Sequence, residues 1–388
     1  MPHDHSRLPQ PSAINFDQTP FVAIWETTRA CDLACRHCRA EAIPDRSPDE
    51  LSTDQGFALL SELAEMGTPI CVLSGGDPAK RPDLCALVEH GARTGMRMAT
   101  IPAATPLLTR QLIRDLKDAG LAQMALSLDG QNSLIHDSFR GVPGAFDLTL
   151  QAARWAHEEG MPLQINTTFS EHNREFFDEM ASLVQELGVV FWEVFFLVPM
   201  GRGRELGQMD AGQFEDLFGR LADVAHSVDF IVKITEAPHY RRYLMQKRRS
   251  EGGDRTAARG HGQLPAHMRR DFGPGGTIGV APKGVNSGNG YVFVNYLGEI
   301  FPSGFLPYSC GNVKRDSITD VYRSHPVFRE LRTPDLLKGK CGICEFRHIC
   351  GGSRARAYAM TGDYLEVEPF CAYEPRKAKA TEPRSQPL

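Results

Sequence analysis

Between residues 21 and 225 the chain alternates short apolar runs with longer stretches whose apolar residues recur at helical spacing. The runs at 21–27, 70–73, 96–101, 122–128, 163–168 and 191–198 are short and bounded by polar or glycine-rich segments, which predicts buried strands. After the first run, Ser52 or Thr53 is placed to cap a helix carrying Phe57, Leu60, Leu63, Ala64 and Met66 on one side. Further helices are predicted over 82–93, 109–119, 146–159, 173–187 and 211–225, giving six strand–helix units. Repeated crossovers of this length require a parallel sheet with helices outside it. Periodicity alone allows a full barrel, a partial barrel or an open sheet. Two short strands at 291–294 and 299–301, around Asn295 and Gly298, read as a hairpin.

The flanks differ in character. Residues 1–20, with Pro9, Pro11 and Pro20, read as an extended lead-in, and the tail 375–388, rich in Pro, Lys and Arg, as disordered. Segment 236–284 reads as a basic flexible linker or lid: positions 241–271 hold nine Arg or Lys against Glu251, Asp254 and Asp271. Either it is a solvated connection or it orders over a substrate that carries carboxylates. The expected division is a core barrel over 21–235 and a small C-terminal domain over 285–374.

Composition narrows the function classes. A chain of 388 residues with 41% hydrophobic content fills a large core and a smaller one. Its net charge of −5, from 43 basic and 48 acidic residues, argues against general affinity for nucleic acid or membrane. The polar first ten residues and the absence of any apolar run of spanning length predict a cytoplasmic protein. In a reducing compartment ten cysteines are not disulfide partners; seven fall into two groups, which points to metal or cluster ligation.

The first group, Cys31, Cys35 and Cys38, stands as C-x-x-x-C-x-x-C directly after the first predicted strand. Three thiolates on one loop can hold a four-iron cubane and leave one iron open. Structural or zinc-binding cysteines are the competing reading, although tetrahedral zinc usually takes paired C-x-x-C units and four protein ligands. After the second strand comes Ser74-Gly75-Gly76-Asp77-Pro78, whose glycines permit close backbone approach and whose carbonyls and carboxylate accept from an ammonium group. Ser127 and Asp129 lie at period two on the fourth strand, Arg140 offers a fork that matches a carboxylate, and Asn166 and Thr168 stand on the fifth strand. The second group, Cys341-x-x-Cys344-x5-Cys350 followed by Cys371, supplies four thiolates. These suffice to close either an iron–sulfur cluster or a zinc site. Cys71 and Cys85 read as core residues.

In this order the motifs resemble the radical S-adenosylmethionine (SAM) superfamily, with a C-terminal SPASM/Twitch extension. The resemblance implies an α/β fold: a partial (β/α)6 barrel followed by a small iron–sulfur domain. It implies a 4Fe-4S cluster on Cys31, Cys35 and Cys38, with SAM completing the open iron and yielding a 5'-deoxyadenosyl radical on reduction. Gly75, Gly76 and Asp77 would then meet the SAM amino group, Ser127 and Asp129 the ribose, and Arg140 the carboxylate. His37, in place of an aromatic residue, would pack against SAM. Val198 and the glycines after it would lie along the adenine, and Asn166 would face the same space. One auxiliary 4Fe-4S cluster is implied on Cys341, Cys344, Cys350 and Cys371, because Pro302-Ser303 and Gly352-Ser353-Arg354 stand where a further cluster would need cysteines. That cluster would accept an electron from the substrate, while flavodoxin or ferredoxin serves as reductant. Cys38-Arg39-Ala40-Glu41-Ala42, Val285-Asn286-Ser287-Gly288 and the stretch from Gly351 to Tyr358 resemble the haem-biosynthesis branch. The implied reaction is oxidative decarboxylation of porphyrin propionates on a tetrapyrrole. The alternative is crosslinking of a ribosomally made peptide; a non-enzymatic zinc or iron–sulfur protein would leave the SAM-contact loops unexplained.

Overall fold

The computed structural model describes residues 14–251, 281 and 283–376. Seven strands follow one another in space in chain order, each parallel to the next: β1 (Val22–Glu26), β2 (Ile70–Ser74), β3 (Arg97–Thr100), β4 (Gln123–Ser127), β5 (Leu163–Phe169), β6 (Phe191–Phe196) and β7 (Ile231–Thr235). The connections carry α1 (Thr53–Glu65), α2 (Leu84–Arg93), α3 (Arg110–Asp118), α4 (Ser133–Arg140), α5 (Ala145–Glu158), α6 (Phe177–Glu186) and α7 (Ala211–Ser227). Period two divides each strand between two environments. On β1, Ala23 and Trp25 are buried in the main core that α1 and α2 also supply. The fit is tight, since a Cβ on Gly56 of α1 would stand 2.5 Å from the Trp25 ring. The alternate residues, including Glu26, Ser74, Ser127, Asn166 and Phe195, belong to the other face.

The expected strands and helices are present, with bounds that shift by a few residues. Ser52 caps α1 through a capping box with Gln55, and Thr109 caps α3. Two elements were not anticipated. Helix α4 is short and mostly polar, capped by Asn132 at one end and left-handed Gly141 at the other. Strand β7 pairs only with β6 and is half-buried throughout, so it lacks the continuous apolar signal of a central strand.

The predicted hairpin forms, and it belongs to the barrel sheet. β8 (Tyr291–Val294) pairs in parallel with β1, and β9 (Glu299–Phe301) and β10 (Gly311–Asn312) continue outward, in the order β10-β9-β8-β1-β2-β3-β4-β5-β6-β7. The C-terminal helices are α9 (Ile318–Ser324), α10 (Pro326–Leu331), α11 (Gly339–Ile343) and α12 (Arg354–Thr361).

Two flanking expectations need correction. The beginning of the expected flexible linker is helix α8 (Tyr240–Ser250). Tyr240 and Tyr243 pack against Phe218, and buried Arg242 donates to Glu215 at 2.9 Å, so the basic run carries enough anchors to fold. Arg241 donates to the carbonyls of Val285 and Ile349, which places this part of the run against the C-terminal domain, away from the barrel mouth. The rest of the linker, residues 252–280, lies outside the described residues, as do the first thirteen residues and most of the tail. Of the lead-in, Ile14 and Phe16 are buried. Tyr322 of α9 donates its hydroxyl to the Phe16 carbonyl at 2.7 Å and accepts from the Gly290 amide at 3.1 Å. Among the described residues no helix is long and apolar enough to cross a membrane.

Replacing Tyr322 by phenylalanine leaves both backbone groups without a partner in a buried place. The expected loss is about 1–3 kcal/mol of unfolding free energy, measured by denaturant titration, with the transition slope unchanged.

Candidate active site

A cavity of about 1230 Å³, open to solvent, lies at the carboxyl ends of the strands, where parallel α/β folds place their functional groups. The loop after β1 brings Cys31, Cys35 and Cys38 to its wall together with His37. Gly75 and Gly76 enter from the β2 loop, Ser127 from the end of β4, Asn166 and Thr168 from β5, and Val198 from beyond β6.

The cysteine loop is gripped by three distant elements. From the β2 loop, the Gly76 and Asp77 amides donate to the Thr28 and Ala30 carbonyls at 2.7 and 2.6 Å. From α4, the carbonyls of Phe139 and Arg140 accept from Arg36 and Ala34 at 2.8 and 3.1 Å. From beyond β6, Arg202 donates its amide to the Cys38 carbonyl at 3.1 Å and its Nε to the Cys35 carbonyl at 2.9 Å. Backbones come too close here for side chains: a Cβ on Gly76 would stand 2.3 Å from the Ala30 oxygen. Gly201, at φ +51, would put one 2.5 Å from the Cys38 oxygen. The glycines of the post-β6 stretch therefore serve the cysteine loop directly.

The thiols are prepared as anions only for a cationic partner. Burial pushes Cys31 up to about 12 and raises Cys35 as well, so a free thiol here keeps its proton at neutral pH. Hydrogen-bond donors nevertheless point at the sulfurs: the Leu33 amide at Cys31 (3.4 Å), the Ala42 amide at Cys38 (3.5 Å) and Arg140 Nη1 at Cys35 (3.6 Å). That donor set fits sulfurs held as thiolates by a metal cluster.

The two acids expected at the ligand stand elsewhere. Asp77 is fully buried, and its carboxylate accepts from the Ala79 and Ala103 amides and the Thr105 hydroxyl, fastening the β2 loop to the β3 loop. Asp129 is also fully buried behind Arg140; it accepts from that guanidinium and from the Thr168 amide at 2.7 Å. Neither lines the cavity. Arg140 does, and its Nε has no hydrogen-bond partner among the described residues. Burial opposes its charge, and Asp129 and Cys35 together more than offset this, so the Arg140 pKa is raised. His37 stacks on Phe139 at 4.3 Å between ring centroids, and burial followed by Arg140 lowers its pKa, which keeps the imidazole neutral.

The other thiols, Cys341, Cys344, Cys350 and Cys371, line a second cavity of about 410 Å³. Amides of Glu368, Phe346 and Gly352 donate to Cys341, Cys344 and Cys350 at 3.4, 3.4 and 3.3 Å. Among the described residues no three His, Cys, Asp or Glu converge closely enough to hold a single metal ion; each thiol set rims an open space. Cys310 is buried apart from them, its thiol donating to the Tyr308 carbonyl. A fully buried arginine of α12, Arg356, joins the two cavities. It donates to the carbonyls of Phe196 and Leu197 at 3.2 and 3.3 Å and to Glu368 at 3.2 Å. Burial works to raise the Glu368 pKa, and Arg356, with His239, the Ser353 amide and Arg354, more than reverses it. Arg356 and Arg202 carried no functional reading in the sequence; only their position within glycine-containing stretches marked them.

Replacing Asp129 by alanine would strand the Arg140 charge in the interior. The expected loss is about 3–5 kcal/mol in a denaturant titration of the protein.

Residues 25–184 match the Radical SAM superfamily. Over 364 residues the chain is 38% identical to the AdoMet-dependent heme synthase of Methanosarcina barkeri, covering 94% of this chain and 99% of the relative. It is 37% identical to the protein of the same name from Oleidesulfovibrio alaskensis, covering 92% and 88%. The crystal structure of Streptococcus suis SuiB bound to S-adenosylmethionine superposes with a TM-score of 0.68 at 15% identity, over 92% of this chain and 78% of that one. The chain belongs to the radical SAM superfamily, whose enzymes use a 4Fe-4S cluster and S-adenosylmethionine.

Proposed function

We propose that this enzyme makes haem by oxidative decarboxylation of two propionates of Fe-coproporphyrin III. The observation that carries the reading is the 38% identity to a heme synthase over nearly the whole of both chains. The cavity supports it, since apolar and aromatic side chains from the β6 end, Phe195, Phe196 and Leu197, share its wall with the thiols. In each half-reaction a hydrogen atom leaves the β-carbon of a propionate, carbon dioxide and one electron follow, and a vinyl group remains.

Cys31, Cys35 and Cys38 would hold the first cluster, which together with SAM supplies the hydrogen-abstracting radical. The chain's own part is positioning and exclusion of water. The three-sided grip on the cysteine loop holds the three thiols that would carry the cluster, and the Gly75–Gly76 backbone would leave room for the SAM amino group. The free Nε of Arg140 is placed for its carboxylate, while Ser127, Asn166 and Thr168 present polar groups to the ribose side. His37, held neutral and flat against Phe139, and Val198 offer apolar faces to the adenosyl group. In this arrangement Asp77 and Asp129 act as positioning residues behind the contact groups.

Cys341, Cys344, Cys350 and Cys371 would hold an auxiliary 4Fe-4S cluster, which supplies an acceptor for the electron released with carbon dioxide. Four thiols around an open cavity suit a cubane better than one ion. The enzyme would work in the cytoplasm, reduced by flavodoxin or ferredoxin.

Reduced, reconstituted protein given SAM and Fe-coproporphyrin III is expected to show stepwise mass loss at two propionates. Deuterium placed at the propionate β-carbon should move into 5'-deoxyadenosine, as read by mass spectrometry. A porphyrin that neither binds nor donates deuterium, beside a peptide that does, would replace this reading with peptide crosslinking.

Anaerobic reconstitution should give about eight irons per chain. Alanine at Cys341, Cys344 and Cys350 together should lower this to about four irons, spare SAM cleavage and stop haem formation; product at the native rate would make the second cavity structural.

A further inference from the structure

Among the described residues, the cavity wall carries one arginine that the cofactor contacts leave unused. Arg39 lines the wall directly after Cys38. Its Nη2 lies 3.0 Å from buried Glu26. Among the described residues no hydrogen bond engages its Nε or Nη1, and the side chain is 19% exposed. Arg140, the other arginine on the wall, is already engaged by Asp129 and Cys35.

Its surroundings are aromatic. The Arg39 guanidinium lies 4.5 Å from the ring centroid of Phe293 on β8 and 5.9 Å from that of Phe305. Phe305 in turn meets Phe195 of β6 at 6.3 Å. In this corner the segment after β9 meets the end of β6. Flat apolar faces and a guanidinium with an open edge match a planar molecule that bears carboxylates. Glu26 fixes the guanidinium without occupying its remaining N–H groups.

We infer that Arg39 is a substrate anchor: its open edge binds one propionate carboxylate while Phe195 and Phe305 form the wall against the macrocycle and buried Phe293 backs the guanidinium. This rests on the haem-synthase reading and adds to it the residue that selects for a carboxylate. Arg39 is a positioning residue in this role, since it holds one end of the substrate and takes no part in hydrogen abstraction.

The test is a titration of the reconstituted holoenzyme with Fe-coproporphyrin III, followed by Soret absorbance. Arg39→Gln should weaken binding about tenfold, the loss expected when one charged hydrogen-bonding partner goes, with iron content and SAM binding at native levels. Arg39→Lys should recover part of the affinity, because it keeps the charge and loses the fork. The salt dependence of binding should flatten in Arg39→Gln. Glu26→Gln should tighten porphyrin binding severalfold, since it removes the competing charge and leaves the guanidinium in place. Native binding with an unchanged Arg39→Gln overturns the anchor and leaves the haem reading standing. Absence of porphyrin binding by the native holoenzyme overturns both. If Arg39→Gln loses iron, because it neighbours Cys38, the Glu26→Gln titration decides: unchanged affinity refutes the anchor.

Discussion

Everything at the barrel mouth depends on how the loop after β1 is held. A loop of this kind has too few internal hydrogen bonds to keep three sulfurs in place, and a cluster with one open iron requires their directions to be set in advance. The chain solves this with hydrogen bonds from the β2 loop, α4 and Arg202 after β6, each supplying two to residues 28–38. Because those partners are themselves rooted in strands of one parallel sheet, the position of the sulfurs is inherited from the sheet. The same strands carry Ser74, Ser127, Thr168 and Phe195 at or beside their carboxyl ends, so the groups that face the sulfurs are set by the same frame.

Buried charge serves this frame. Asp77 closes the β2 loop onto the β3 loop, and Asp129 fixes Arg140 behind Cys35. Arg356 ties the end of β6 to Glu368 beside the second thiol set. Each is a charged group kept inside by partners that satisfy it, and each links segments that are remote in sequence. The C-terminal domain is joined in the same spirit: β8 extends the barrel sheet through β1, so the second cavity sits at a set position relative to the first.

The parts legible in advance were those written locally. Short apolar runs announced β1 to β6, the pair Ser52 and Thr53 announced the start of α1, and the spacings of the seven clustered cysteines announced two ligand sets. The illegible parts were those whose meaning comes from a distant neighbour. Asp77 and Asp129 look like ligand contacts by type and position, yet donors from Ala103, Thr105, Thr168 and Arg140 consume them inside the protein. Helix α8 looks like a linker by composition, and folds because Phe218 and Glu215 receive its few anchors. Arg39 had no periodic signal at all; its surroundings come from β8 and β6, more than a hundred residues away.

The sequence alone determined the element order, the parallel sheet, the two thiol sets and the superfamily, because each is encoded in spacing along the chain and in side-chain chemistry. Only the tertiary structure decided that Asp77 and Asp129 are enclosed away from the cavity, that β8 joins the barrel sheet, and that Arg39 keeps an open edge beside Phe293 and Phe305. The reason is physical. Hydrogen-bond donors and low-dielectric surroundings reach a side chain through space, and the chain order does not record which of them will arrive.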